Sequence, residues 1–528
     1  MRRVNKAGLT VKLLLILFML VSVIFPLCCM LFNLFEVDFG AIVSSPQFLS
    51  ASLNSVVVAL CATIISVALA FVLAWCLARS NIRRKNLIAM LLVVPMLIPS
   101  ISHGMGLIVL LGSNGVLTNL LNLKFNIYGF WGIVIGSVMY SFPPAFLMLL
   151  DIFKYEDYAV YESAQVLGVP KWRQFTSITM PYLRKPLISV LFATFTLIFT
   201  DYGIPLMVGG KFTTLPVYMY NEVIGLLNFG KGAVVGLVLI IPALVAFLFD
   251  FFNKDVGNMS FTPKPFEIKK SKIRDGLAYF LTIATVVLIL LPIVVFVLLT
   301  FVEKYPVKMN FSMENILKAM DLGAAEYLIN SLVIALFTAL IGVMVSYITA
   351  YYTARSRGTS SKTLHLFSIT SLAIPGIVLG LSYSLAFQQS FLYGTIAILI
   401  LVNIVHFFAS PYLLAYNAMG KMNPNFEPVS RTLGVKRWRL IKDVFVPQTI
   451  DTILEMFSYF FVNAMITISA VSFLSNVSNM PLSLMIPQFE GQTMLESSAY
   501  ISLLILIVNV VLKGLIYLAK RIYIRRTA

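Results

Sequence analysis

The sequence predicts an all-α polytopic membrane protein of about twelve transmembrane helices, arranged as two parallel-repeat halves of six. Of its 528 residues, 59% are hydrophobic and only 12% are charged. A soluble protein needs more polar residues than this to cover its surface. Apolar runs of about 20 residues recur, which is the length of helix that crosses a hydrocarbon core of about 30 Å. In addition, the second half of the chain repeats patterns found in the first.

Twelve apolar segments are long enough to be spans. They cover, approximately, residues 12–35, 52–77, 86–111, 128–153, 186–208, 232–252, 276–301, 328–353, 364–388, 392–417, 450–474 and 497–519. The first follows a Met-Arg-Arg start, as in a signal peptide. Because it is long and no small-residue cleavage site follows it, we expect an uncleaved span.

The net charge of +17 is distributed as the positive-inside rule requires. If the N-terminus is cytoplasmic, all but six of the 39 Lys and Arg residues fall on the cytoplasmic side. The exceptions are Lys124, Lys211, Lys231, Lys304, Lys308 and Lys318. Both termini are therefore predicted to be cytoplasmic. The basic excess reflects membrane topology, and no nucleic-acid partner is expected.

The internal repeat is visible at matching positions of the two halves. A span that begins at Asn54 and ends near Arg79 matches one that begins at Asn330 and ends near Arg355. Self-similarity over half the chain length indicates two structural units. We expect a first six-span half over residues 1–252, a cytoplasmic linker over 253–275 and a second half over 276–528. Because six is even, an axis along the membrane normal should relate the halves.

Two polar, basic loops lie at equivalent places in the halves, over residues 156–185 and 421–449. In each, Leu-Gly-Val precedes a Trp-Arg pair, and a proline follows the glycine by 13 residues. The glycines are Gly168 and Gly434, and the prolines are Pro181 and Pro447. The pattern predicts a helix, a glycine turn and a second helix, since glycine permits the positive φ of a sharp turn. These segments are called the first and second basic loops below.

The basic loops resemble the EAA loop of permease subunits of bacterial ABC importers, in the type I, binding-protein-dependent class. The first loop supplies Glu162, Ser163, Ala164, Gly168 and Pro181 of that motif. The second supplies Ser430, Gly434 and Pro447, but its only glutamate, Glu427, stands one position early. The resemblance implies the type I transmembrane fold, and it implies that these residues couple the chain to a cytoplasmic ATPase. A bare interfacial amphipathic helix is the alternative interpretation.

The resemblance also implies partners. We expect a cytoplasmic ATPase dimer that holds ATP and Mg, an extracytoplasmic substrate-binding protein, and a bacterial inner membrane as the location. The chain has no Gly-x-x-x-x-Gly-Lys-Ser/Thr motif, so no nucleotide site of that kind is predicted in it. No catalytic residue, bound cofactor or metal ligand is expected. The sequence looks most like permeases for 2-aminoethylphosphonate, with ferric iron or thiamine as the alternative solutes.

Polar residues within two spans are candidates for the translocation pathway. Asp201 lies in the fifth predicted span, and Asn463, Thr467 and Ser469 lie in the eleventh. A charged side chain inside a bilayer is costly, so Asp201 should face protein or a water-filled cavity. The alternatives are that Asp201 is an outer-loop residue and that the other three bond neighbouring helices.

A secondary transporter with two six-span halves is the rival function. It would need ionisable residues facing one another in the membrane, and apart from Asp201 the spans offer no convincing partner. His103 and His406 have no ligand partner at helical spacing, which favours helix-packing or polar-interface roles. A scaffolding role without transport is a third possibility, which an ATPase stimulated by the complex would exclude.

Overall fold

The computed structural model describes residues 6–122, 124–252, 264, 266–268, 270–356 and 358–527. Residues 253–263, 265 and 269 of the predicted linker lie outside the described residues. In the first half, the α-helices are α1 (Lys6–Met19), α2 (Phe25–Phe32), α3 (Phe39–Val43), α4 (Pro46–Arg79), α5 (Lys85–Val93), α6 (Ser100–Leu111), α7 (Val116–Leu121), α8 (Phe130–Lys154), α9 (Tyr158–Val166), α10 (Lys171–Gln174), α11 (Met180–Phe199), α12 (Gly203–Val208), α13 (Leu215–Tyr220) and α14 (Phe229–Phe252).

The second half has the same plan. Its helices are α15 (Lys272–Thr300), α16 (Glu314–Asp321), α17 (Ala324–Ala354), α18 (Thr359–Thr370), α19 (Gly376–Phe387), α20 (Ile396–His406), α21 (Ala409–Gly420), α22 (Phe426–Thr432), α23 (Arg437–Leu440), α24 (Val446–Gln448), α25 (Ile450–Ile466), α26 (Met485–Gly491) and α27 (Leu495–Thr527). Strands β1 (Val302–Lys304) and β2 (Lys308–Phe311) form one short antiparallel hairpin.

The predicted all-α polytopic fold is confirmed. Within the described ranges, nine helices are long and apolar enough to cross a membrane, or up to eleven if each bent helix pair is one span. The bent pairs are α18 with α19, at 109°, and α20 with α21, at 51°. Helix α25 has 17 residues and ends at Ile466, so the predicted span 450–474 is shorter than expected.

Prolines break three of the predicted spans. The prediction of continuous helices over 86–111, 364–388 and 392–417 is wrong. The first is interrupted by a 3₁₀ turn at Val94–Leu97 and restarts after Pro99. The second is interrupted in the same way and restarts after Pro375. The third bends just before Pro411. Proline lacks the N–H that would continue a helix and disfavours helical backbone in the residue before it.

The first span of each half packs against the other half. Lys12 in α1 donates a 2.7 Å hydrogen bond to Ser361 Oγ in α18, and Tyr383 in α19 donates one of 2.6 Å to the Ser22 carbonyl. Reciprocally, α15 lies against α4, α5 and α6. Its Pro292 comes so close to Gly106 that a Cβ there would lie 2.7 Å away. This exchange interlocks the halves.

The serine that follows each repeated asparagine anchors a distant loop. Ser55 Oγ accepts a 2.7 Å hydrogen bond from the Leu215 N–H. Ser331 Oγ accepts one of the same length from the Leu482 N–H. Both serines are buried, at 3% and 1% exposure, and a buried N–H without a partner is costly. The repeat therefore preserves the hydrogen bond that fixes the start of the segment after the fifth span of each half.

Ser331→Ala is expected to lower the free energy of unfolding by about 1 kcal/mol, because it leaves the Leu482 N–H without its acceptor. Ser55→Ala should have a similar effect. The measurement is thermal unfolding of the purified protein in detergent. Ser44→Ala is the control, because that serine is exposed and bonds only within its own helix. Equal losses in Ser331→Ala and Ser44→Ala would contradict the anchoring role.

Candidate coupling loops and central cavity

Each basic loop is a helix, a glycine turn and a second helix. In the first, α9 ends at Val166 and α10 begins at Lys171. Gly168 between them has φ +69°, and the Val169 N–H bonds the Ala164 carbonyl at 2.9 Å. The second loop repeats this geometry around Gly434, with φ +66°. A Cβ on either glycine would meet nothing within 4 Å, so the left-handed backbone alone requires glycine there.

The turns present large apolar side chains to the outside. Leu167 and Trp172 are 79% and 73% exposed in the first loop. Leu433 and Trp438, at the matching positions of the second, are 70% and 65% exposed. Exposed aromatic and leucine side chains grouped on one surface are typical of a protein interface. Each loop therefore carries a compact surface suited to binding another protein.

A buried arginine at the end of α4 holds the first basic loop. Arg79 forms a salt bridge with Glu156, and the Tyr161 hydroxyl donates to the same carboxylate. Burial, together with the Glu156 carboxylate, raises the pKa of the Tyr161 phenol, so the hydroxyl keeps the proton that it donates. In the sequence Arg79 is recognisable only as a marker of the repeat, and its role in fixing the loop was not predicted.

Arg355, at the end of α17, holds the second basic loop in the same way. Its guanidinium binds both oxygens of Glu427, at 2.8 and 2.7 Å. It also donates to the carbonyls of Met422 and Asn423. Glu427 is 9% exposed, so it lies inside the loop and not on the outward surface. Glu427 stands one position earlier than the glutamate of the EAA pattern, and from that position its carboxylate reaches Arg355.

Glu162 of the first loop instead binds the linker. Its carboxylate accepts a 2.6 Å hydrogen bond from Lys264 Nζ, which raises the pKa of that ammonium group. The Lys264 N–H bonds Asp157, and the Lys264 carbonyl accepts from the Tyr158 N–H, both at 3.0 Å. Phe266 then packs on the Tyr158 and Tyr161 rings, with ring centroids 4.8 Å apart in each case. The middle of the linker, at Lys264 and Phe266, thus lies against the first basic loop.

The other loop residues that were predicted to couple the chain to an ATPase make contacts within their own loop. Ser430 Oγ donates to the Val435 carbonyl at 3.0 Å across the glycine turn. Ser163 Oγ bonds the Ala159 carbonyl within its own helix, and Ala164 is buried. Pro181 and Pro447 each stand at the second position of the helical segment that follows a π-helical turn.

A cavity of about 770 Å³ lies between the two halves. It is lined by residues of α8, α11 and α14 from the first half and of α20, α21 and α25 from the second. Its polar lining residues are Tyr140, Ser189, Thr194, Thr196, Thr200, Asp201, Ser371, His406, Ser410, Tyr459, Asn463 and Ser469. A polar cavity between two membrane halves can hold a small polar solute.

The structure brings three of the four predicted pathway residues together. Asp201, Asn463 and Ser469 line the cavity. Thr467 does not: it is buried, and its carbonyl accepts a 2.8 Å hydrogen bond from Ser483. Asp201 follows the end of α11, where it accepts hydrogen bonds from the Ile204 N–H at 3.1 Å, the Gly203 N–H and the Ser100 hydroxyl. It therefore caps the start of α12 while facing the cavity.

Beside the cavity, the halves exchange a serine and a glycine at one contact. In the first half, a Cβ on Gly203 would lie 2.6 Å from Ser100 Oγ. In the second half the residue types are reversed, and a Cβ on Gly376 would overlap Ser469 Oγ. The contact has room for one hydroxymethyl group in each half. Ser100 bonds Asp201, whereas Ser469 is open to the cavity, so the two sides of the cavity differ chemically.

The two histidines for which packing or polar-interface roles were predicted have different surroundings. His103 is 1% exposed and packs near the Tyr140 ring, with centroids 6.0 Å apart. His406 lines the cavity, and its buried Nδ1 has no hydrogen-bond partner among the described atoms. In the parts of the chain that the structure describes, no three His, Cys, Asp or Glu side chains group as a metal site would require.

The fold, the two basic loops and the central cavity describe a membrane protein built from two similar halves, and comparison with known proteins gives the family. Residues 66–257 and 342–527 match the family described as binding-protein-dependent transport system inner membrane component. The two matches cover most of both halves, so the chain belongs to this family. It contains two copies of the family's domain, which confirms the resemblance drawn from the basic loops.

Relatives of several named specificities are similar to this chain. The ferric transport system permease protein FbpB of Actinobacillus pleuropneumoniae is 24% identical over 401 residues, covering 72% of this chain and 58% of the relative. The thiamine transport system permease protein ThiP of Salmonella typhimurium is 25% identical over 402 residues, 72% of this chain and 73% of the relative. The molybdenum transport system permease protein ModB of Haemophilus influenzae is 30% identical over 180 residues, 33% and 79% respectively. The chain thus spans little more than half the length of the ferric relative.

Glu427→Ala is expected to destabilise the protein by about 3 kcal/mol, because it leaves the Arg355 guanidinium buried without its carboxylate. The side chains of this pair are only 7% and 11% exposed. Glu162→Ala is the matched control, since its ion pair with Lys264 is exposed and such pairs contribute little. Thermal unfolding in detergent measures both. Equal unfolding temperatures of the two variants would contradict the stabilising role of the Arg355–Glu427 ion pair.

Proposed function

We propose that this chain is the permease subunit of an ATP-driven importer and forms the path of a small polar solute across the membrane. The pair of basic loops carries the proposal, because both present an apolar surface at the same place in the repeat. Membership of the binding-protein-dependent family supports it. An ATPase dimer on the cytoplasmic side, with its ATP and Mg, and an external binding protein complete the assembly. The location in a bacterial inner membrane and the cytoplasmic termini belong to the same proposal.

The basic loops give the ATPase a mechanical connection to the spans. In this mechanism, ATP-driven closure of the ATPase dimer moves the two loops together. Because Arg79 and Arg355 fix each loop to the end of α4 or α17, the loop movement tilts those helices. The halves then open the central cavity to the outside, where the binding protein delivers solute. Hydrolysis resets the inward-open state.

The predicted solute is 2-aminoethylphosphonate, with ferric iron and thiamine as the alternatives. The relatives named above support the ferric and thiamine alternatives at the level of similarity. The cavity of about 770 Å³ has room for any of the three. The choice among them is a matter for uptake measurements.

The double variant Leu167→Asp, Leu433→Asp is expected to lose ATPase association while the chain still inserts in the membrane. Charges replace the two exposed leucines, and a buried unpaired carboxylate is costly in an interface. The measurement is co-purification of the ATPase encoded beside this chain. Val477→Asp is the control, because that residue is 82% exposed but lies outside both loops.

Normal co-purification of the ATPase with the double variant would contradict the docking role. The rival function, an ion-gradient transporter, predicts uptake that an ionophore abolishes and ATP does not drive. The proposed function predicts the reverse in proteoliposomes with the ATPase and the binding protein present.

A further inference from the structure

The central cavity has a single strongly ionisable group. Among the described residues that line it, Asp201 is the only Asp, Glu, Lys or Arg. The imidazole of His406 is the one other titratable group that changes charge near neutral pH, and an ordinary imidazole is mostly neutral at pH 7. Asp201 is therefore the one group of the described lining that can bring a full negative charge into the cavity.

The hydrogen bonds of Asp201 hold it in place without neutralising it. Its partners, the N–H groups of Gly203 and Ile204 and the hydroxyl of Ser100, are all uncharged. No arginine or lysine shares the cavity with it among the described residues. A charge between two membrane halves is screened far less than one in water. In its ionised form the carboxylate attracts a cation that enters the cavity and repels an anion, and the cation in turn favours that ionised form.

The rest of the lining also suits a cation. Tyr140, Phe247, Phe407 and Tyr459 contribute aromatic rings, whose faces attract positive charge. The hydroxyl groups and Asn463 offer oxygen atoms that can replace water around a cation. An oxyanion would meet hydroxyl and amide donors only, with a carboxylate beside them.

We infer that the solute carried through this cavity bears a cationic centre, and that Asp201 is the residue that selects for it. That a solute passes through the cavity rests on the proposed function. The charge preference of the cavity can be measured whether or not the chain transports a solute. A metal cation and an organic ammonium or thiazolium compound share this chemistry. An oxyanion with no cationic centre, such as molybdate, is excluded by the inference.

Cysteine labelling tests the charge preference directly. The four native cysteines, Cys28, Cys29, Cys61 and Cys76, are replaced by alanine, and Asn463→Cys places one thiol in the cavity. The permease in proteoliposomes reacts either with a cationic trimethylammonium-ethyl or with an anionic sulfonato-ethyl methanethiosulfonate. Val477→Cys supplies the reference ratio of the two rates, because it is exposed and remote from the cavity lining.

The cationic reagent is expected to react with Cys at position 463 at least about tenfold faster than the anionic one, relative to the reference ratio. Asp201→Asn keeps an oxygen that can cap α12 and should reduce the preference to the reference. An equal ratio at the two positions, or an unchanged ratio in Asp201→Asn, would overturn the inference. So would failure of both reagents to reach position 463. If Asp201→Asn does not fold, the comparison of positions 463 and 477 decides alone.

Uptake by the complete complex identifies which solute carries the cationic centre. The probes are thiamine, Fe³⁺, 2-aminoethylphosphonate and molybdate, each offered with the binding protein and the ATPase. ATP-dependent uptake of thiamine or Fe³⁺ supports the inference and names the solute, since both are cations. Uptake of 2-aminoethylphosphonate, whose phosphonate is anionic, supports the inference only if Asp201→Asn abolishes that uptake, and otherwise overturns it. Uptake of molybdate would overturn it. ATP-independent uptake together with a normal labelling preference would defeat the proposed function and leave the cation preference standing.

Discussion

The architecture depends on two buried ion pairs that join loops to spans. Arg79 with Glu156, and Arg355 with Glu427, connect the ends of α4 and α17 to the two basic loops. Removing one partner of such a pair leaves an unpaired charge with a large desolvation cost. Each basic loop is therefore held rigidly to one helix, although it lies outside the spans. A loop that merely connected two spans would need no such attachment.

The halves share this attachment but not its details. The second loop uses a glutamate within its first helix, whereas the first loop uses Glu156, before its helix begins. Glu162 is then free to bind Lys264 in the middle of the linker. The linker consequently contacts one loop directly, and the two surfaces offered to a partner are unequal. The two halves also differ beside the cavity, where the serine and the glycine of one contact are exchanged between the halves.

The internal repeat and the glycine turns of the basic loops could be predicted from the sequence, because both depend on neighbouring residues. A glycine with an exposed left-handed backbone can be recognised from its neighbours, as at Gly168 and Gly434. Apolar runs indicate spans because the bilayer sets their length. The same reasoning failed where proline ends a helix inside an apolar run, near Pro99 and Pro375, because hydropathy does not report backbone hydrogen bonding. Thr467, which was predicted with the pathway residues, does not line the cavity, because helix α25 ends at Ile466 just before it.

The sequence by itself determined the class of protein, the twofold repeat and the two loops, because composition, period and turn chemistry are local properties. Only the tertiary structure decided which groups meet. It joined Arg355 to Glu427, exchanged the first spans between the halves, and brought Asp201 and Asn463 to one cavity. These contacts join residues far apart in the chain. Their geometry is set by how the helices pack, which no spacing along the sequence contains.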